Sequence, residues 1–249
     1  STKELFIQIP SGIAPVDGSV KMRKRLKAID FIWEDILKLQ ELHDHAKEIT
    51  QDRDLKLQTL KNVISNKIQN PINTNNKKII IFTAFADTAM YLYDFISKVF
   101  LKDNIHSCLI TGSGINQSTL FPKERDLNTL LTHFSPISKD RGKIDPSQKK
   151  EIDILIATDC ISEGQNLQDC DYLINYDIHW NPVRLMQRIG RVDRRMDPSV
   201  EARLVQDHPD VKNDRGKVAF WNFLPPGELN RLLSLYNTVT RKTLLISET

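Results

Sequence analysis

The sequence predicts a three-layer α/β domain with a mainly parallel sheet, preceded by a helical segment. Short apolar, β-branched runs without alternation, at 78–83 and 152–158, read as strands covered on both faces, which parallel sheets require. These runs alternate with stretches of helical apolar spacing about ten to fifteen residues long, the rhythm of β-α-β units. The chain is also large enough for its own core: 249 residues and 28.7 kDa, with 40% hydrophobic and 27% charged residues. That composition excludes collagen, a disordered tail and a disulfide scaffold. The longest apolar runs are about five residues, far below the ~20 that span a bilayer, so no membrane segment is expected. No basic start followed by an apolar stretch appears near Ser1, and no secretory signal is expected.

Residues 1–16 carry Pro10, Pro15 and one short alternating run, and read as an extended lead-in with one strand. Over 17–68 the period becomes helical. Leu26, Ile29, Trp33, Ile36 and Leu37 form one apolar stripe, and Leu55, Leu57, Leu60, Val63, Ile64 and Ile68 form another after a polar break at 50–54. The Asn-rich segment 70–77 is a polar turn and divides the chain into a helical part, 1–76, and an α/β part, 77–249. Strands are then expected at 78–83, 107–111, 152–158, 172–175 and 218–224, and helices at 87–101, 123–134, 183–195 and 228–246. Residues 135–150 read as a mobile, solvated insertion. Trp33 and Trp221 sit in apolar stripes and are expected in the core.

A formal charge of +3 is too mild to predict nucleic-acid binding by itself. Cys108, Cys160 and Cys170 form no C-x-x-C pair and read as reduced packing residues of a cytoplasmic protein. The histidines add no ligand at tight spacing, so no metal-binding cluster is expected.

Ligands of parallel sheets bind beyond the carboxyl ends of the strands. The loops expected there contain Thr83 and Phe85; Thr111, Gly112, Ser113 and Gly114; Thr158, Asp159, Glu163 and Gly164; and the run from Asp177 to Pro182. Asn181 is a good N-cap and Pro182 a good first residue for the helix that follows. That helix, 183–195, holds five arginines and one aspartate. Gln187, Arg191 and Arg194 lie at intervals of four and three, hence on one face. Arginine used in preference to lysine suits a planar grip on phosphate or carboxylate, although a solvated, salt-bridged face remains the plain alternative. Gly190 inside the helix costs ~1 kcal/mol and calls for a compensating close approach.

Gln187-Arg188-x-Gly190-Arg191-x-x-Arg194 matches the Q-R-x-G-R-x-x-R motif VI of superfamily 2 helicases and translocases. The run Ile156-Ala157-Thr158-Asp159-x-x-Ser162-Glu163-Gly164-x-Asn166-Leu167 resembles motif V in its Swi/Snf-like version. Lys78 to Thr83 followed by Phe85 resembles motif IV, and Trp180-Asn181-Pro182 is typical of the Swi/Snf-like branch. Over about residues 50–249 the chain therefore resembles the second, C-terminal RecA-like lobe of a bacterial Swi/Snf-like helicase, similar to the RNA-polymerase-recycling ATPases.

The resemblance implies an ATP cleft between two RecA-like lobes, with Arg191 and Arg194 as arginine fingers toward the γ-phosphate and Gln187 ordering that interface. Thr158, Asp159, Glu163, Gly164 and Arg188 would lie at the cleft and couple it to the nucleic-acid track. Thr83, Phe85, Thr111, Gly112, Ser113 and Asn166 would lie on the nucleic-acid side. ATP and Mg²⁺ are the implied cofactors, and nucleic acid, double-stranded DNA first, is the implied partner, with RNA polymerase or another protein as cargo. The sequence contains no G-x-x-x-x-G-K-[ST] and no D-E-x-x box. The chain is thus expected to be a fragment that lacks its first lobe and is inactive alone. Arg194 is followed by Arg195 and Met196 rather than by the Arg-x-Gly-Gln continuation of many remodellers, which favours the bacterial branch. A strand-separating helicase lobe and a non-catalytic binding module are the competing readings.

At single positions plainer roles are expected. Glu163 reads as a hydrogen-bonded cap, His179 as a loop histidine with a satisfied hydrogen bond, and Trp180 as a wedge under the helix start.

Overall fold

The computed structural model describes residues 18–112, 114, 116–161, 165–179, 181–192, 202, 206 and 217–224. Ser113, Glu163, Gly164, Trp180 and Arg194 lie outside these residues, as do the strand expected in 1–16 and the helix expected at 228–246.

The chain divides into two compact units, Ser1–Asp54 and Leu55–Thr249. The first carries α1 (Gly18–Lys47), whose last turn places His45 and Lys47 where the helix dipole favours cations. Trp33 is 57% exposed there, and Phe31, Ile32, Leu37, Leu39 and Leu42 are exposed with it. The expectation of a core tryptophan is corrected: an apolar stripe identifies a helix face but not what lies against it.

The second unit opens with α2 (Leu55–Gln69) and continues β1 (Ile79–Phe82), α3 (Ala86–Phe100), β2 (Ser107–Ile110), β3 (Gln117–Ser118), α4 (Leu127–Phe134), α5 (Arg141–Ile144), β4 (Ile154–Ala157), β5 (Tyr172–Asn175), α6 (Pro182–Val192) and β6 (Ala219–Asn222). The sheet order is β3-β2-β4-β1-β5-β6. All neighbours are parallel except β3, which runs antiparallel to β2 at one edge. β3 and α5 are too short to announce themselves by a hydrophobic period.

Every residue of β1, β2 and β4 is buried. Alternate side chains therefore feed two cores. Ile79, Ile81, Leu109, Ile154 and Ile156 pack with Leu57, Leu60 and Ile64 of α2 and Ala89, Leu92 and Ile96 of α3. Ile80, Phe82, Cys108, Ile110 and Leu155 pack with Leu130, Leu131 and Phe134 of α4 and Val192 of α6. These are the three layers. The segment 55–69, grouped by sequence with the helical lead-in, is one wall of the α/β unit.

At the amino ends of the strands the chain seals in a charged network. Lys67 is 2% exposed and Asp171 3%. Lys67 Nζ lies 2.8 Å from Asp171 Oδ1 and donates to the Asn76 carbonyl at 2.7 Å. Asn73 Nδ2 donates to Asp171 Oδ2 at 2.9 Å and to the Lys217 carbonyl at 2.8 Å. Burial pushes the Asp171 carboxyl above the ordinary 3.8, while Lys67 and Asn73 pull it back.

The insertion at 135–150 contains an anchored turn rather than only solvated chain. Asp169 accepts from Ile137 N at 2.6 Å, from Ser138 N at 3.0 Å and from the Ser138 hydroxyl. Arg141 and Lys78 both reach Glu151, at 3.1 and 2.6 Å. α4 starts at Leu127, later than the expected 123, because Asp126 caps it by accepting from Thr129 N at 2.8 Å.

Two further expectations are corrected. Trp221, placed in the core by its apolar neighbours, is 41% exposed on the edge strand β6 and meets Phe223 edge-on at 6.4 Å. Cys108 and Cys170 are buried packing residues, but Cys160 is exposed in the turn after β4.

Candidate functional site

The carboxyl ends of β1, β2, β4 and β5 finish in one row, with Phe82 beside both Ala157 and Asn175 and Ile110 beside Ala157. Pairing runs one residue further: Thr83 N donates to the Ala157 carbonyl at 3.0 Å, Thr158 N to Ile110 at 3.2 Å and Tyr176 N to Phe82 at 2.9 Å. The loops holding the motif residues thus leave the sheet side by side, as its parallel order dictates.

α6 rises beside this row. Asn181 caps it, its Oδ1 accepting from Val183 N at 3.0 Å, while His179 Nδ1 accepts from Asn181 N at 2.9 Å. Arg188 is the anchor of the helix and is completely buried. Its Nε and Nη2 grip Asp159 Oδ1 and Oδ2 at 2.7 and 3.0 Å, the bidentate geometry that suits a guanidinium. Nη1 donates to Asn175 Oδ1 at 2.9 Å and to the Asp177 carbonyl at 3.1 Å. The plane also lies 5.1 Å from the Phe82 ring. Arg188 therefore fastens α6 to β1, β5 and the turn after β4, and is not itself presented to a ligand.

The same helix carries Gln187 and Arg191, one turn apart and both half-buried. Its last turn is held from the other side by Leu167 N, which donates to the Arg191 carbonyl at 3.2 Å. Asn166 shapes that segment, its Oδ1 accepting from Gln168 N at 3.3 Å. Apart from its chain neighbours and its own helix backbone, no atom of the described residues lies within 4 Å of where a Gly190 Cβ would stand, so the close approach expected at this glycine is absent among them. Thr158 and Asp159 sit at the head of the turn after β4, partly exposed beside the buried guanidinium.

On the adjoining side, Thr83 is fully buried and Phe85 is 68% exposed. The Thr83 hydroxyl donates to the Phe85 carbonyl at 2.7 Å and accepts from Phe85 N at 3.2 Å. Thr83 thus shapes the turn instead of offering its side chain. Thr111 is also buried, its N–H bonded by Asn116 Oδ1 at 3.4 Å. Gly112 is exposed, and a Cβ there would stand 3.4 Å from Cys160 Cβ, in ordinary contact. Gly114 has φ +78, a left-handed conformation natural to glycine.

Asn175, Asn222 and Lys56 belong to the site and were not picked out by sequence reasoning, which had named Asp177 only as the first residue of the loop into α6. Asn175 Nδ2 donates to Asn222 Oδ1 at 2.8 Å, which ties β6 to the Arg188 cluster. The polar triplet Asn175-Tyr176-Asp177, at the end of a buried strand, was the available signal.

A parallel α/β lobe whose strand ends face an arginine-bearing helix is the RecA-like class, and its motifs make it a second lobe of superfamily 2. Residues 55–196 match the helicase conserved C-terminal domain, and the chain belongs to that family. It is 38% identical over 117 residues to the uncharacterized ATP-dependent helicase YqhH of Bacillus subtilis, a match covering 47% of this chain and 16% of YqhH. It is 25% identical over 166 residues to the putative ATP-dependent DNA helicase Fml2 of Schizosaccharomyces pombe, covering 67% of this chain and 19% of Fml2. To the RNA polymerase-associated protein RapA of Sodalis glossinidius it is 25% identical over 113 residues, 44% of this chain and 12% of RapA. The chain thus spans under a fifth of the length of these relatives. No helix among the described residues is long and apolar enough to cross a membrane.

Proposed function

We propose that this chain forms one wall of the ATP cleft in a nucleic-acid-dependent ATPase of the Swi/Snf-like branch, one that moves along double-stranded DNA. The observation that carries this reading is α6: Gln187 and Arg191 share a helix that a wholly buried Arg188 clamps to Asp159, Asn175 and Asp177. A helix so fixed can hold guanidinium donors at a set distance from an opposing lobe.

The donor set fits half of a nucleotide site. Arg191 and Arg194 would bind the γ-phosphate and stabilise charge developing on it, and Gln187 would orient that contact. ATP supplies the phosphoryl group, with Mg²⁺ held mainly by a first lobe that carries the phosphate loop these 249 residues lack. Thr158, Asp159, Glu163 and Gly164 would pass the state of the nucleotide to the nucleic-acid side. There Phe85, Gly112, Ser113 and Asn166 would follow the phosphate backbone, while Thr83 and Thr111 shape the turns that present them.

Trp180-Asn181-Pro182 and the similarity to RapA support the Swi/Snf-like assignment. RNA polymerase or another protein would then be the cargo, in the bacterial cytoplasm. The 249-residue chain alone would not turn ATP over.

The deciding experiment is ATP turnover by the reading frame extended upstream to include a phosphate loop, with duplex DNA, single-stranded DNA, RNA or no nucleic acid. Replacing Arg191 by alanine should reduce duplex-stimulated turnover on the order of 10³-fold. Turnover that survives the substitution would reduce the chain to a binding module. Stimulation by single strands in place of duplex would make it a strand-separating helicase.

A further inference from the structure

We propose that Asp177 is a positioning residue that couples the turn at 83–85 to α6, a step that rests on α6 being the nucleotide-facing helix. One residue here touches three elements. Its Oδ2 accepts from Ala84 N at 3.2 Å, in the turn after β1. Its Oδ1 accepts from Lys56 Nζ of α2, also at 3.2 Å. Its main-chain carbonyl accepts from Arg188 Nη1 of α6 at 3.1 Å.

The arrangement is directional. Successive N–H groups of the turn are both taken, Ala84 by Asp177 and Phe85 by the Thr83 hydroxyl, so the turn has one shape while both bonds hold. Phe85, exposed at its tip, stands at the N-terminus of α3 with no side-chain cap of its own. A phosphate backbone seated on this tip shifts Ala84 and, through it, the Asp177 carboxylate. With its other oxygen tethered by Lys56, the carboxylate passes that shift to the Asp177 main chain, whose carbonyl is one of the supports of Arg188. Arg188 is sealed from water, so a lost support is not replaced by solvent, and the strain passes along α6. Lys56 steadies the carboxylate from the far side. Its ammonium lies 3.8 Å from the Tyr176 ring centroid, which keeps a long side chain in one place.

The test uses the protein carrying both lobes and reads the ratio of duplex-stimulated to basal ATP turnover, together with the half-saturating duplex concentration. Asp177→Ala removes both carboxylate bonds and keeps the carbonyl. The ratio is expected to fall about fivefold, within the range by which single positions alter coupling. The double variant Asp177→Asn/Lys56→Met keeps an oxygen for Ala84 N without a stranded ammonium, and should restore the ratio. An unchanged ratio in Asp177→Ala overturns the proposal. So does an equal loss in both variants that tracks a lowered melting temperature, since the residue would then be structural only. Arg191→Ala separates the two layers of the claim. If it abolishes turnover while Asp177→Ala leaves the ratio intact, only the coupling role fails; if turnover survives it, the nucleotide reading fails and this proposal falls with it.

Discussion

The two ends of the sheet hold the same kind of chemistry under different conditions. At the amino ends, Lys67 and Asp171 pair with side chains only 1% and 4% exposed. At the carboxyl ends, Arg188 is 0% exposed, but its partner Asp159 keeps 20% of its side chain open. A pair sealed on both sides has only its fixed protein partners, here the Asn76 carbonyl and the Asn73 amide besides each other, and can only hold its elements in register. A pair with one open side can exchange a bond with a ligand or with water and so respond. The difference separates scaffold from device: the network around Lys67 ties α2, the 70–78 segment, β5 and the approach to β6, whereas the network around Arg188 ties the loops that carry the motifs.

The largest stability effect should come from breaking the sealed pair. Asp171→Ala leaves the Lys67 ammonium without its counter-charge, held by the Asn76 carbonyl where water cannot reach it, and should cost about 3–5 kcal/mol, read as a drop in the urea midpoint. Replacing both partners, as Lys67→Met/Asp171→Leu, should recover most of that loss, because two apolar chains need no compensation. A double variant no better than the single one would mean that Asn73 and Asn76, rather than the ion pair, secure this end.

At the open pair the expected loss is smaller. Arg188→Lys keeps a charge but cannot grip both Asp159 oxygens and reach Asn175 together. The cost should be about 2 kcal/mol, since Asp159 regains water on its open side. In the two-lobed protein the same variant should lose ATP turnover out of proportion to its stability, whereas Asp171→Ala should lose both together or neither. Equal behaviour of the two would erase the distinction between the ends.

The ends also differed in how far they could be read from sequence. Arg188 announced itself because motif VI concentrates arginines at fixed spacing on one helix, and Asp159 because it stands in a second such motif. Lys67 and Asp171 are 104 residues apart in no motif, and Lys67 is not among the apolar residues that mark the helix at 55–68. Asn73 and Asn76 fell in a run that reads as a solvated turn, yet both are wired into the interior. The five four-residue strands were legible to within a residue or two, because short apolar runs have no other stable place, whereas the two-residue β3 was not. Which face of α1 and which side of β6 would be covered was not legible, and Trp33 and Trp221 were misplaced for that reason. Periodicity tells which side chains share a face; only the packing partner, from elsewhere in the chain, decides whether that face is inside.

The smallest effect concerns protons, and it tests whether the amino-end side of the molecule is as closed to charge as its ion pair implies. His106, before β2, and His133, on α4, are 8% and 4% exposed. Burial holds both imidazoles below the ordinary 6.5. For His133 the nearby Arg141 and Lys78 push the same way, against Asp145 and Glu151; for His106, Lys150 does so against Asp153. A folded-state value below the unfolded one means that the unfolded chain binds the proton first. Stability is then fully present above about 6.5 and falls as the pH drops through that value toward the folded one. The urea midpoint should therefore decline between about pH 7.5 and pH 5.5, where unperturbed histidine titrates. His133 adds a structural reason: its buried Nδ1 has no hydrogen-bond partner among the described residues, so a proton added there creates a donor with nothing to bind. His133→Asn should flatten the decline, and adding His106→Asn should flatten it further. A midpoint that stays level across this window in the wild-type chain would show that both rings reach water in solution, and that this side of the sheet is more open than its sealed Lys67–Asp171 pair suggests.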